Sequence, residues 1–403
     1  MTDIDRNSDP RASRIIARHG KLGKQTPVRT ILVFIASSLA VLLVSGVALA
    51  GIVAAQTVGD IEIEEIPADA VEAPPGIGAY SEGFNMLIVG SDKCERDDGC
   101  DGRGTADLND VTMLLHVSAD GTHATAVSFP RDLVVPIPSC SKVDGSGVTP
   151  AMEGRPINET LYYGGLACTV KTVEQLSGLD VQFAGLITFN GVIKMSNAVG
   201  GVEVCVANDL NDKQVGLHLK KGKHVLKGGD ALAFLRSRKS VGDGSDLTRI
   251  GSQQVYLSSL VRTLKSRDTL GDIGKVYRLA QAAADSMTLS KRLGQLDTMA
   301  AIALRLKDVP LERITFLQYP GGIGGTGIYQ GKVQPQTDKA AQIFAVLKAD
   351  EPFKLAKVAG GGGSIVDPDA PSSTPDPAAT AEPTKTIVEP GQTAADYTCS
   401  VTR

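Results

Sequence analysis

Three arginines, Arg236, Arg238 and Arg249, fall within fourteen residues of the stretch GGDALAFLRSRKSVGDGSDLTRIGSQQ, Gly228 to Gln254. A loop with two glycines, Ser240 to Ser245, joins them. Residues two apart share a face of extended chain and diverge on a helix, so an extended segment makes Arg236 and Arg238 co-facing. Arg249 opens an apolar-periodic helix (Leu247, Ile250, Tyr256, Leu257, Leu260), with Ser245 or Asp246 as its N-cap. Two guanidinium forks beside a helix N-terminus suit a multiply charged phosphate group. The same residues also suit a solvated basic turn making weak surface ion pairs, and spacing alone leaves both readings open.

Carboxylates on loops complete the set: Asp92, Asp110, Arg131, Asp132, Arg236, Arg238, Asp246 and Arg249. Carboxylates suit a hard cation such as Mg²⁺, which takes one or two of them plus substrate phosphate oxygens. Arginines suit the remaining phosphate oxygens and the charge that develops on phosphoryl transfer. Other chemistries are excluded. There is no G-x-S-x-G elbow and no P-loop, and the five histidines (His19, His116, His123, His218, His224) make no metal pair at helical spacing. A satisfied structural role is the expectation for each histidine. Gly322-x-Gly324-x-x-Gly327 matches the dinucleotide fingerprint literally, but no helix follows it, and a flexible loop is expected there.

The elements that must carry these residues alternate. Asn85 to Gly90 reads as a buried strand delivering Ser91-Asp92 to a loop at its C-terminal end, where open α/β sheets place ligands. Val111–Ser118 and Thr122–Phe129 read as a hairpin whose Ala119-Asp120-Gly121 turn supplies the positive-φ positions. The outer ends of a hairpin meet, so Asp110 and Arg131 are predicted neighbours. Further strands (Gln182–Phe189, Val202–Val206, Arg313–Tyr319) alternate with helices (Ala167–Leu176 stopping at Gly178, Asn190–Val199, Thr337–Lys348), and Leu247–Lys307 reads as mainly helical. The expected class is α/β, an α/β/α sandwich with a central mixed β-sheet, preceded by one N-terminal transmembrane helix.

Charge places that domain. The chain carries a net charge of −4, which argues against nucleic acid as a partner. Residues 1–30 hold seven Lys or Arg against three Asp, so the remaining residues carry −8. Residues 31–55 contain no charge and are long enough to span a bilayer, which takes about 20 apolar residues. The basic flank puts the N-terminus in the cytoplasm. Hence the expectation is a single-pass cell-membrane protein: a cytoplasmic tail at 1–30, an uncleaved anchor at 31–55, a stalk at 56–83, an extracellular domain at 84–353 and a disordered Pro/Ala/Thr/Gly-rich tail at 354–403. Six cysteines fit an oxidising exterior. Cys94 and Cys100 bracket a short loop, and Cys140 lies in the loop after the hairpin with Cys168 at the start of the next helix. The expected pairs are Cys94–Cys100 and Cys140–Cys168, with Cys205 and Cys399 unassigned.

Six ordered blocks carry a resemblance: NMLIVGSD (Asn85–Asp92), NDVTMLLHV (Asn109–Val117), AVSFPRDL (Ala126–Leu133), PIN (Pro156–Asn158), FNGVIKMSNAVGGVEV (Phe189–Val204) and the arginine stretch above. Together, over about Asn85 to Leu264, they resemble the LytR-CpsA-Psr family, and a preceding anchor in the same topology is typical of it. The resemblance implies a phosphotransferase that moves a glycopolymer from a polyprenyl-diphosphate carrier onto a muramic acid hydroxyl of peptidoglycan, at the cytoplasmic membrane, in cell wall biogenesis. It implies Asp92 and Asp110 as magnesium-associated carboxylates, Arg131, Arg236, Arg238, Arg249 and Gln253 as diphosphate ligands, and Asp110, Arg131, Arg236 and Arg238 as catalytic, with side pyrophosphatase activity. Here Leu108-Asn109-Asp110-Val111 stands where the family often has Arg-Ser-Asp-Thr, and Ser252 stands where a further arginine is common, which implies either looser diphosphate binding or compensation by Arg103 and Lys239. Two rival readings use the same residues: a polyprenyl-diphosphate phosphatase, and a non-enzymatic wall-polymer-binding or regulatory protein. The polymer stays open among arabinogalactan, teichoic acid and capsule.

Overall fold

In chain order the strands that build the two main sheets are β1 (Ile63–Glu64), β2 (Phe84–Ser91), β3 (Asn109–Val117), β4 (Ala124–Phe129), β5 (Phe183–Ile187), β6 (Val202–Val206), β7 (Gly222–Leu226), β8 (Met287–Ser290), β9 (Ile314–Gln318), β10 (Ser364–Val366), β11 (Gly391–Thr393) and β12 (Thr398–Ser400). The helices are α1 (Thr160–Ser177), α2 (Phe189–Val199), α3 (Gly229–Arg236), α4 (Asp246–Lys265), α5 (Ile273–Ala284), α6 (Leu296–Asp308) and α7 (Thr337–Lys348). This is a computed structural model describing residues 62–67, 83–93, 107–266, 273–356, 361–370 and 383–403. All of them belong to one unit, Asp60–Arg403.

The central sheet runs β1-β8-β5-β2-β3-β4-β9-β11. Parallel pairs (β2 with β5, β4 with β9) and antiparallel pairs (β2 with β3, β3 with β4) make it mixed, as the pattern predicts. Successive side chains of a strand point to opposite faces, and the core splits accordingly. Leu87, Val89, Leu114, Val127 and Phe129 pack on one face with Leu166, Val170 and Val173 of α1 and Ile343, Phe344 and Leu347 of α7. Phe84, Met113, Val117 and Phe316 pack on the other with Leu257 and Val261 of α4 and Ile302 of α6. Each such buried side chain contributes about 1.5–3 kcal/mol, so the helices on the two faces hold β2, β3 and β4 at the centre of a sandwich.

A second sheet, β7-β6-β12-β10, packs its own core (Val202, Val204, Leu226) against Phe234 of α3 and Tyr256 of α4. Thus α4 lies on both cores, and its second half is held from two sides. The hairpin forms as expected, with Gly121 at φ +71°. Asp120 does not take positive φ; its carboxylate accepts from Ser118 Oγ at 2.8 Å and Thr122 N–H at 2.9 Å. Gly178 ends α1 in the left-handed conformation (φ +66°), although α1 begins earlier than predicted, at Thr160, and is kinked at Gly164 and Gly165. Helix α2 starts at Phe189, one residue before the expected Asn190, and Thr188 caps it, accepting from Gly191 N–H at 3.3 Å.

Several boundaries differ from expectation. Ordered chain starts before Phe84, because β1 pairs in parallel with β8. The tail after Phe353 is not uniformly disordered: β11 adds to β9, β12 adds to β6, and β10 adds to β12. The two sheets offer open edges there, and the triplets Gly391–Thr393, Thr398–Ser400 and Ser364–Val366 supply pairing segments within a composition that otherwise cannot bury a core, while Lys385–Ile387 pairs separately with Phe353–Leu355. A disulfide joins Cys205 to Cys399 across the β6–β12 register, settling the two unassigned cysteines. The expected Cys140–Cys168 bond is present. Cys94, Cys100 and Arg103, the tail at 1–30 and the anchor at 31–55 lie outside the described residues. Among the described residues no helix is long and apolar enough to cross a membrane.

Candidate active site

The site forms where β2 and β4 end and β3 begins, beside the N-terminus of α4. At the close of β2 the register with β3 shifts between Gly90 and Ser91, and Asp92 is then held by Leu108, with N–H to carbonyl at 3.0 Å and Leu108 N–H to Asp92 Oδ1 at 2.9 Å. Asp110 is the second residue of β3. Its neighbour Asn109 is fully buried, donating from Nδ2 to Thr112 Oγ1 at 2.7 Å and to the Ile157 carbonyl at 3.2 Å, and accepting from Thr160 Oγ1 at 3.3 Å. A departure from the family pattern is thereby a structural anchor: Asn109 pins the start of β3, and hence Asp110, to the segment leading into α1.

The predicted meeting of Asp110 and Arg131 occurs, and the two form an ion pair through the guanidinium NH1 and Oδ1. Arg131 also donates its backbone N–H to Asp246 Oδ2 at 2.7 Å, which ties the end of β4 to α4. Asp246 is the first residue of α4, and Ser245 is the N-cap, accepting from Thr248 N–H. One turn on, Arg249 reaches back to Asp246 Oδ1 at 2.7 Å and to the Asp110 carbonyl at 2.8 Å, with its side chain only 6% exposed. Arg249 is therefore the clamp between α4 and β3. Asp132 gathers a second set of cations: Lys332 Nζ at 2.8 Å, Arg238 at 3.6 Å and Arg131 Nε at 4.0 Å.

Arg236 and Arg238 do not share one extended segment. Arg236 ends α3, and the chain turns extended only at Ser237 (φ −59°, ψ +125°). The apolar face of Ala231 and Phe234 buries against α4 and β6, which holds the α-helical turn and sends the two arginines apart. The Arg236 guanidinium stacks 4.2 Å from the centroid of the Phe189 ring at the start of α2, while Arg238 turns to Asp132. Gln253, one turn after Arg249 on α4, donates to the Leu235 carbonyl at 2.9 Å. It holds the end of α3 in place beside Arg236. Lys239 is exposed.

Electrostatics follow from this crowding. Burial, reinforced by the nearby Asp110 and Asp107, pushes the Asp92 carboxyl above the usual range despite the Leu108 hydrogen bond and Arg131. Burial alone would weaken the Arg131 charge, but Asp110, Asp132 and Asp246 outweigh it and push its pKa up. Arg131 stays a cation with 27% of its side chain exposed, and its Nε, buried, has no hydrogen-bond partner among the described residues. Arg131, Arg238 and Lys332 thus each keep an exposed part of a cation at one locus, and together they can meet an anion of more than one charge.

Sequence reasoning missed Lys332 and the anchoring role of Asn109. Lys332 follows the Gly-rich segment, which is no nucleotide motif: Gly321–Gly322 pairs with Gln334–Pro335, and Gly327–Tyr329 is a single 3₁₀ turn. That turn returns Val333 to the backbone of Asp132 and Val134, placing Lys332 on Asp132 two hundred residues away. No local signal could have shown it.

The family model described as LytR_cpsA_psr matches residues 53–349. The chain belongs to this family. Over 238 residues it is 30% identical to a Corynebacterium glutamicum protein named cell wall biosynthesis protein LcpA, covering 55% of this chain and 45% of that protein. It is 28% identical over 263 residues to the Bacillus subtilis polyisoprenyl-teichoic acid–peptidoglycan teichoic acid transferase TagT, covering 63% of this chain and 74% of the relative. The chain spans about half the length of the two Corynebacterium relatives it matches. The crystal structure of B. subtilis TagV shares the fold, with a TM-score of 0.53 at 22% identity over 67% of this chain and 97% of that one. The Asp110–Arg131 pair and the arginines of α3 and α4 therefore sit within the matched part of a LytR_cpsA_psr domain.

Proposed function

We propose that this protein is a membrane-anchored phosphotransferase that moves a glycopolymer from a polyprenyl-diphosphate carrier onto peptidoglycan. The observation that carries the reading is the convergence of Arg131, Arg238 and Lys332 on Asp132 beside the Asp110–Arg131 pair, in a family whose curated relative is a transferase of this kind. Anionic diphosphate replaces carboxylate contacts at the exposed ends of these cations, which cost little to redirect because each is only partly buried. Arg131 and Arg238 bind and orient the diphosphate, and their planar forks match two oxygens at once. The acceptor hydroxyl oxygen bonds to the phosphorus that carries the glycopolymer. The bond from that phosphorus to the bridging oxygen breaks, and polyprenyl phosphate leaves with the hydroxyl proton. Arg249 keeps Asp110 in position through the strand backbone, and Gln253 keeps α3 and Arg236 in position.

A divalent cation such as Mg²⁺ fits the residues present. Asp92 and Asp110, with Asp107 nearby, are close enough to raise the Asp92 carboxyl, and such oxygen-only donors are those a hard cation takes. Asp92 and Asp110 would hold it, and when bound it would neutralise charge on the phosphate oxygens. The charge-free stretch 31–55, behind its basic flank, supports an anchor that keeps the domain on the outer side of the cell membrane, beside a lipid-linked donor.

The reading is tested by incubating the purified protein with a synthetic polyprenyl-diphosphate glycan, Mg²⁺ and a muramic-acid-containing acceptor. Transfer product is expected. Cleavage with water as the sole acceptor would convert the reading to a phosphatase, and donor binding without any bond cleavage would convert it to a wall-polymer-binding protein.

A further inference from the structure

Two buried histidines and one aspartate meet at the opposite end of β3 from Asp110. His116 lies six residues along that strand, about 20 Å away at the usual rise per residue. His123 precedes β4 across the hairpin, and Asp350 follows the end of α7. His116 Nε2 is 3.1 Å from Asp350 Oδ1, and His123 Nε2 is 3.7 Å from the same oxygen. All three donor atoms lie within 4.8 Å of one another. Two ligands each about 2.0–2.1 Å from a tetrahedral zinc ion stand about 3.3 Å apart, so this spacing is that of a ligand set.

The proton positions sharpen the point. The Asn85 amide donates from Nδ2 to the Asp180 carbonyl at 2.8 Å, so its Oδ1 faces His116 Nδ1, at 2.9 Å, as an acceptor. Thr122 Oγ1 donates to Asp120 Oδ1 at 2.8 Å, and so it accepts from His123 Nδ1 at 3.1 Å. Both rings then carry a proton on Nδ1, so in a neutral imidazole each Nε2 is an acceptor turned toward one carboxylate oxygen. Three acceptors facing each other repel unless a cation or a proton lies between them. His123 is 4% exposed, and its Nε2 has no hydrogen-bond partner among the described residues. An outer acceptor fixing each ring through Nδ1 is the arrangement that orients metal-bound histidines. Asp350 Oδ2 is held by the Ala119 N–H at 3.0 Å, leaving Oδ1 to the shared locus. Asp350 is also, among the described residues, the one non-glycine residue at positive φ, +52°. Its side chain is 26% exposed, which gives an ion a path in and a water its fourth position.

We propose that His116, His123 and Asp350 form a binding site for a late first-row divalent metal ion, zinc above all, that fastens the end of α7 onto the β3–β4 hairpin. Imidazole donors select such ions, whereas Mg²⁺ prefers oxygen alone, so this site and the Asp92–Asp110 site discriminate between metals. The test uses the full-length, chelator-treated protein titrated with Co²⁺ alone. About one equivalent is expected to bind with the visible bands of a four-coordinate ion, displaced by Zn²⁺ and untouched by excess Mg²⁺. Asp350→Asn, which keeps the positive φ that Asn tolerates, and His123→Gln should each weaken binding roughly 10–100-fold or more. Zinc should raise the melting temperature of the wild type and leave that of Asp350→Asn unchanged. Should His123→Gln fail to fold, the partly exposed Asp350→Asn carries the test alone. Absence of Co²⁺ bands in the wild type, or undiminished binding in Asp350→Asn, overturns the proposal.

Discussion

Replacing Asp246 by Ala tests how the site is held together. The Asp246 carboxylate is 2% exposed and serves two partners, the Arg131 N–H at 2.7 Å and the Arg249 guanidinium at 2.7 Å. Its loss leaves Arg249, itself almost fully buried, with the Asp110 carbonyl as its remaining named contact. Breaking a buried ion pair from one side costs about 3–5 kcal/mol, because the surviving charge is stranded. The orphaned Arg131 N–H adds about 1–3 kcal/mol unless water reaches it. A stability loss of about 4 kcal/mol or more is expected, measured by urea unfolding with an unchanged slope. Arg249→Met in the Asp246→Ala background should recover much of that loss, since replacing both charges by apolar groups is often near neutral. Activity should not recover, because β3 and α4 lose their clamp. A loss under about 1 kcal/mol for Asp246→Ala, or strictly additive single effects, would refute the clamp.

Arg238→Lys keeps charge but not the fork, and is expected to lower transfer by about 2–4 kcal/mol of transition-state stabilisation, whereas Lys239→Ala, at an exposed position, should leave the steady-state rate unchanged. Asp92 binds its proton more tightly folded than unfolded, so its charged form weighs against the fold once pH passes the ordinary value of 3.8 and rises through the higher folded one. Asp92→Asn should therefore stabilise the chelator-treated protein at neutral pH, a gain that vanishes below about pH 3.8, while activity is lost; thermal melts across pH check it. Cys399→Ser opens the 194-residue link to Cys205 and should cost about 2–5 kcal/mol. It should also slow transfer, because the backbone of Val401 and Arg403 pairs with Gly242 and Ser240 in the loop between Arg238 and Arg249.

What the sequence made legible was local or nearly so. The Asp-Gly turn fixed the hairpin and with it the Asp110–Arg131 contact, and the glycine after Ser177 marked the end of α1. The stretch from Arg236 to Arg249 was legible as a cationic locus but not in its geometry, because tertiary burial of Phe234 kept Arg236 helical where the spacing suited an extended chain. Lys332 on Asp132, β1 on β8 and β12 on β6 are pairings between distant segments. Nothing in a single sequence ties such segments together unless their composition differs from that of a linker. The tail illustrates the cost: its Pro- and Ala-rich average concealed triplets that complete two sheet edges. His116 lies on β3 and His123 just before β4 at a spacing no helical rule covers, and their third partner sits 227 residues beyond His123 in sequence.

The central claim is that Asp110 acts on a phosphate-bearing substrate and does not merely support the fold. Transfer from a synthetic polyprenyl-diphosphate glycan to a peptidoglycan acceptor, measured for wild type and Asp110→Asn beside their melting curves, tests it most directly. Asn keeps the side-chain shape and the Asp110 backbone carbonyl that Arg249 uses, so the fold should hold within about 1–2 kcal/mol. The account predicts a loss of transfer by a factor of roughly 100 or more in Asp110→Asn. Wild-type transfer in that variant, with an unchanged melting curve, would contradict it.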